Sequence, residues 1–225
     1  MQDILVLLDN IFVIINIIIL YIFAIGFWIK IRNAEIESQK WLFFCLGLFM
    51  ICFGLTRLFF MFSDMIKAGY WESTDLGWLV LDFSFWWKMA ALFGIGSLIA
   101  VLFVLEKYSV KTKYIFTIIA TIGLILAIIL PVSTELTIDA RFMTYITVPI
   151  AVLSILGIYL YLIIKTTGKI RLKSTMAFLG ILILMIGFIL DTEAGKMLVG
   201  FDLSIFNSIL MITGIILFSF ANLKK

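Results

Sequence analysis

Arg57, Asp82 and Lys88 lie in the apolar stretches "GLTRLFF" and "DFSFWWKMAALFG". An ionised side chain deep in a membrane helix costs about 2.5 to 3.5 kcal/mol on insertion scales. Charges retained at such a cost hold a substrate, an ion or one another, so their types and spacing define the chemistry open to this chain. Asp9, Asp191 and Asp202 place carboxylates near the ends of other apolar runs, and Ser84 puts a hydroxyl one helical turn before Lys88. Asp82 and Lys88 are six residues apart. On a helix that spacing leaves them about 120 degrees apart around the axis, so they cannot pair directly. Each charge then needs a partner on another helix: Arg57 with Asp82 or Asp191, and Lys88 with Asp191, Asp202 or Asp9. Arg57, Asp82, Ser84, Lys88, Asp191, Asp202 and Asp9 together form the expected ligand-binding or intramembrane charge network.

Plainer readings stand beside this one. Lys88 has a long stem that leans toward its helix N-terminus and can reach the water interface by snorkelling, with Trp86 and Trp87 as interfacial aromatics. Arg57 leans the other way, into the bundle, and is harder to account for without a partner. Asp191 and Asp202 are close enough to helix ends to be solvated.

The chain has no histidine. Histidine-based zinc sites, haem ligation by histidine and imidazole acid–base chemistry are therefore excluded. No glycine-rich phosphate loop, H-E-x-x-H or G-x-S-x-G is present, nor a glycine–aspartate pair of the intramembrane protease type. A membrane enzyme using only Asp, Lys and Ser stays open as a minor reading, and no cofactor or metal is expected. Cys45 and Cys52 are seven residues apart in one run, about 10 Å along a helix, too far for a disulfide.

Of the 225 residues, 64% are apolar and 14% charged, and the mean hydropathy is +1.22. This is the composition of an integral membrane protein. Runs long enough to cross a bilayer as helices fall at about 4–29, 41–62, 78–105, 114–132, 142–164, 174–190 and 201–221. They predict an all-α polytopic membrane protein of seven transmembrane helices, a single domain over 1–225 with the lipid bilayer as its partner. Met1-Gln2-Asp3 lacks the basic segment of a cleavable signal, so the first helix is expected to stay as an anchor.

Lys30, Arg32, Lys40, Lys107, Lys111, Lys113, Lys165, Lys169, Arg171, Lys173, Lys224 and Lys225 fall on one side of this topology. The opposite loops hold Lys67, Arg141 and Lys196 among many carboxylates. The positive-inside rule then puts the N-terminus outside and the C-terminus in the cytoplasm of a multi-pass cell-membrane protein. Trp28, Trp41, Tyr108, Tyr114, Tyr159 and Tyr161 form the expected inner aromatic belt, and Tyr70, Trp71, Trp78 and Tyr145 the outer one. The basic loops serve orientation and anionic lipid, with no nucleic-acid partner.

An offset of 120 aligns Asp82 with Asp202, Ser84 with Ser204 and Gly94 with Gly214, and an offset of 133 aligns Lys40 with Lys173, Gly47 with Gly180 and Gly54 with Gly187. A 3+1+3 parallel internal repeat is one reading, and chance matching between apolar helices is the other. In helix count, orientation and repeat the chain resembles the seven-helix architecture of sugar-efflux and PQ-loop transporters and microbial rhodopsins. It is also similar to the seven-helix sensor regions of prokaryotic histidine kinases. It lacks the Pro-Gln pair of PQ-loop proteins and the mid-helix lysine of retinal proteins. Glu106-Lys107-Tyr108 resembles the acid–base–aromatic signature of G-protein-coupled receptors, without that family's proline–tyrosine signature in the last helix.

The inner half shows Asn16 near the middle, Thr117, Thr121 and Ser154, and no buried charge is expected there. One-sided polarity favours a receptor or sensor that takes a small ligand at the outer face and signals to a cytoplasmic or membrane protein partner. The alternatives are a small transporter of two three-helix halves and a structural or assembly subunit.

Overall fold

A computed structural model describes residues 2–75, 80–110, 112–132, 138–192 and 204–223, with side chains from Leu8 in the first helix and from Ile205 in the last. Among the described residues the chain forms seven α-helices: α1 (Gln2–Arg32), α2 (Glu37–Lys67), α3 (Phe83–Leu105), α4 (Ile115–Ile129), α5 (Ala140–Lys165), α6 (Gly168–Asp191) and α7 (Ser204–Leu223). A short antiparallel hairpin, β1 (Thr74–Asp75) with β2 (Val80–Leu81), joins α2 to α3. Each helix packs on its neighbour in sequence, α7 closes the ring against α1, and α3 also contacts α5. Successive helices run in opposite directions, so one end of the bundle carries the hairpin and the other the α3–α4 turn.

The burial pattern inverts that of a water-soluble bundle. On α1, Val13, Asn16, Ile17, Leu20, Ala24 and Phe27 face inward at helical spacing, while Ile11, Ile14, Ile18, Ile22 and Ile25 point out. Large aliphatic side chains on an outer face are what a bilayer solvates. Among the described residues six helical spans are long and apolar enough to cross it: Leu8–Arg32, Glu37–Lys67, Phe83–Val110, Ala140–Lys165, Gly168–Asp191 and Ile205–Leu223.

The fourth run departs from expectation. α4 has 15 residues, about 22 Å, which falls short of a hydrocarbon core of about 30 Å. Tyr114 precedes it in the left-handed region at φ 62°, and Leu130, extended at ψ 146°, leads into Pro131 and ends it. The third run also changes. Val80 and Leu81 are strand, and α3 begins only at Phe83 because Asp82 caps it. α2 runs on to Lys67 instead of ending near 62. Tyr159, expected in the inner belt, is buried and packs edge-on to Phe218 at 6.4 Å, whereas Trp28, Trp41, Tyr108, Tyr114 and Tyr161 are exposed.

Close approach of α6 and α7 depends on glycine. A Cβ at Gly180 would stand 2.5 Å from the Phe218 nitrogen, and one at Gly214 would stand 2.5 Å from the Leu184 nitrogen, so backbone meets backbone. Such small-residue crossings are how membrane helices gain packing contact. The positions aligned with Gly180 and Gly187 behave differently: Gly47 and Gly54 face Trp28 and Tyr21 of α1, not the following helix. The aligned glycines thus do different packing jobs in the two halves of the chain.

Candidate functional site

At the hairpin end, α2 and α6 are joined by a charge pair. Arg57 Nη1 donates to Asp191 Oδ2 at 2.5 Å, and both side chains are largely withdrawn from solvent, at 6% and 16% exposure. Arg57 lies ten residues before the end of α2, about 15 Å along the helix. Asp191 is the last residue of α6. The α6 terminus therefore stops level with a side chain deep in α2. Aromatic rings bridge the same two helices: Phe188 of α6 lies 5.9 Å from Phe53 and 6.4 Å from Phe60, which precede and follow Arg57 on α2. Removing either partner would leave a buried charge uncompensated, at a cost of about 3 to 5 kcal/mol.

Polar atoms continue inward from this pair. Gly187, one turn before Asp191 on α6, abuts the Asn207 backbone of α7, where a Cβ would stand 2.8 Å from the Asn207 carbonyl oxygen. Ser208 follows Asn207, and its carbonyl accepts a 3.4 Å bond from Asn16 Nδ2 of α1. Asn16, Asn207 and Ser208 are all at most 1% exposed. A polar layer thus runs from α2 through α6 and α7 to α1. Arg57 Nε, Asn16 Oδ1, both amide atoms of Asn207 and the Ser208 hydroxyl bond no described residue.

The remaining expected residues are dispersed. Lys88 Nζ donates to the Ile128 carbonyl at the end of α4, at 3.2 Å, in place of Asp191 or Asp9. Its helix face turns toward α4, and the last-turn carbonyls of α4 lack helical donors, so a cation is favoured there. Asp82 does not pair with Arg57: its carboxylate accepts from Phe85 N at 2.8 Å as the α3 N-cap. Ser84 sits partly exposed on the first turn of α3, and Asp9 is half-buried on α1. Asp202 lies outside the described residues, as does Trp78. A separate cluster gathers at the starts of α3 and α5, where Arg141 and Lys67 face the Phe83 ring at 4.9 and 5.9 Å. Asp139 caps α5 by accepting from Phe142 N at 2.8 Å.

The expectation of no buried charge in the other half is overturned by Glu106, 1% exposed. α3 passes into a single π-helical turn, Glu106–Val110, which carries this carboxylate to the start of α4. It accepts from the backbone N–H groups of Phe116 and Thr117 at 3.1 and 2.8 Å and from the hydroxyls of Thr112 and Thr117. Tyr114, the residue before α4, supplies no side-chain cap. Glu106 therefore acts as a remote N-cap, its charge facing the positive end of the α4 dipole. Next to it, Lys107 Nζ lies 5.2 to 5.6 Å from the rings of Tyr108, Trp41 and Phe103.

Between the two ends the described core is apolar. Phe49, Leu98, Val101, Ile155, Ile181, Leu184, Met185 and Phe218 close around a void of about 10 Å³, which is at most the room of one water. No group of metal-ligating side chains is found among the described residues.

Fold and polar layer together define an all-α bundle of the membrane-spanning class. No family model, curated protein or solved structure matches the chain.

Proposed function

We propose that the protein is a receptor- or sensor-like membrane protein that takes a small, net-neutral polar ligand at the hairpin end of the bundle. It passes the event to a protein partner at the other end by movement of helices. The single observation that carries this reading is the Arg57–Asp191 pair, buried at the head of a polar layer and left with an unpartnered guanidinium Nε among the described residues. Its two charges cancel, which favours a neutral or zwitterionic ligand over an ion. The apolar lining of the central void favours reception over passage of a polar solute. In the orientation set by the basic loops, the hairpin end faces outside and ligand arrives from there.

The reading is tested by thermal unfolding of the detergent-purified protein against free amino acids, simple sugars and polyols, with the Arg57→Leu/Asp191→Leu double variant alongside. At least one compound should raise the wild-type Tm and leave the double variant unchanged. If such a compound is instead carried across proteoliposomes in an Arg57-dependent way, the protein is a transporter and the receptor reading fails.

A further inference from the structure

Asn16, Asn207 and Ser208 raise a question separate from the charge pair. Asn207 is 0% exposed in a helix whose neighbours are apolar, and its amide could make several hydrogen bonds. Leaving one buried donor or acceptor unmade costs about 1 to 3 kcal/mol. Here Asn207 Nδ2 and Oδ1, Asn16 Oδ1 and Ser208 Oγ are all without a described partner, at a place where three helices meet. A native bundle stable by about 5 to 15 kcal/mol does not absorb such a sum uncompensated.

The chemistry of these atoms selects what compensates them. Asn207 Nδ2 donates, Asn207 Oδ1 and Asn16 Oδ1 accept, and Ser208 Oγ does either. A cation would find no carboxylate in this set, and the Arg57 guanidinium stands toward the same end of the bundle. An anion would meet two amide oxygens. A neutral molecule that both donates and accepts fits every atom. The backbones of α6 and α7 touch at Gly187, where a Cβ would also stand 3.0 Å from Leu210 Cβ and Met211 Cγ, and of the neutral molecules that donate and accept, water is the smallest and asks least of so close a crossing.

We infer that Asn16, Asn207 and Ser208 form an internal hydration site between α1, α6 and α7, continuous with the charge pair and ending at the apolar core. Water bound there makes two to four hydrogen bonds, which are enough to satisfy the seam. The site goes beyond the ligand reading and stands without it.

Met211 reports on the site. It is 0% exposed, like Met50 in the apolar core, but lies one turn along α7 from Asn207, about 6 Å away. Pulsed radiolytic labelling of the full-length protein in H2-18O, read by mass spectrometry, compares the two. Water in the seam should oxidise Met211 several-fold faster than Met50, and Asn207→Leu should bring Met211 down to the Met50 rate. Ser208→Ala, a smaller change, should lower Met211 labelling part of the way while Met50 stays constant. Equal protection of Met211 and Met50 in the wild type would overturn the inference, as would Met211 labelling indifferent to both substitutions.

Discussion

Glu106 and Arg57 are both charged side chains almost wholly withdrawn from solvent, at 1% and 5% exposure, near opposite ends of the same bundle. Glu106 accepts from two backbone N–H groups and two hydroxyls, all on the segment it caps. Arg57 bonds one carboxylate on a distant helix, keeps Nε unpartnered among the described residues, and opens onto amides and a hydroxyl in the same state. A polar group whose bonds are complete holds structure together. One whose bonds are incomplete holds something else, or is ready to. The comparison therefore assigns architecture to the Glu106 end and binding to the Arg57 end, a distinction that charge and burial alone would miss.

Substitutions that separate the two roles can be ranked by size. Glu106→Ala orphans the first-turn N–H groups of α4 and two threonine hydroxyls, and should cost about 4 kcal/mol in unfolding from mixed micelles, since bonds to a charged group contribute roughly 1.5 to 3 kcal/mol each and do not add fully. Arg57→Leu should cost about 3 kcal/mol by stranding Asp191, but the Arg57→Leu/Asp191→Leu double variant should return to within about 1 kcal/mol of wild type, because a buried pair replaced by apolar groups is close to neutral. A clamp like Glu106 allows no such rescue.

Helix packing sharpens the same contrast. Gly180→Ala drives a methyl into the α7 backbone and should cost about 2 kcal/mol, in the range of overpacked cores. Gly47→Ala meets only the Trp28 ring, which is 42% exposed and can swing away, and should cost less than about 1 kcal/mol. The smallest effect is expected for Lys88→Met, within about 0.5 kcal/mol, because Lys88 is half-exposed and bonds a single carbonyl.

How much of this was legible in the sequence follows from the range of each interaction. The apolar runs locate the seven described helices, since helix formation in lipid depends on local composition. Arg57 stood out because an arginine in an apolar run has few resting places. Its partner was narrowed to two acids, and only inter-helix register, a product of side-chain packing, selects Asp191 and sends Asp82 to cap α3. Lys88 was misplaced for the same reason: six residues of separation fix its angle to Asp82 but not which helix that face meets. The burial of Glu106 is not legible in the sequence because its partners lie six to eleven residues onward across a π-helical turn, outside any local capping pattern. Its signals were Thr112 and Thr117 together with the absence of a capping side chain at Tyr114. Asn207 draws no attention in the sequence, because its meaning needs Asn16 and Gly187, which the sequence places far away.

The contrast between the two ends is tested most directly by unfolding Asn207→Leu and Glu106→Gln side by side under identical conditions. Glu106→Gln should lose stability by about 2 kcal/mol as a charged acceptor becomes a neutral one, whereas Asn207→Leu should lose less than about 1 kcal/mol, because water-mediated bonds of a neutral amide contribute less than direct bonds to a charge. Equal losses in the two variants would contradict it, since Asn207 would then be held as fully by the protein as Glu106 is.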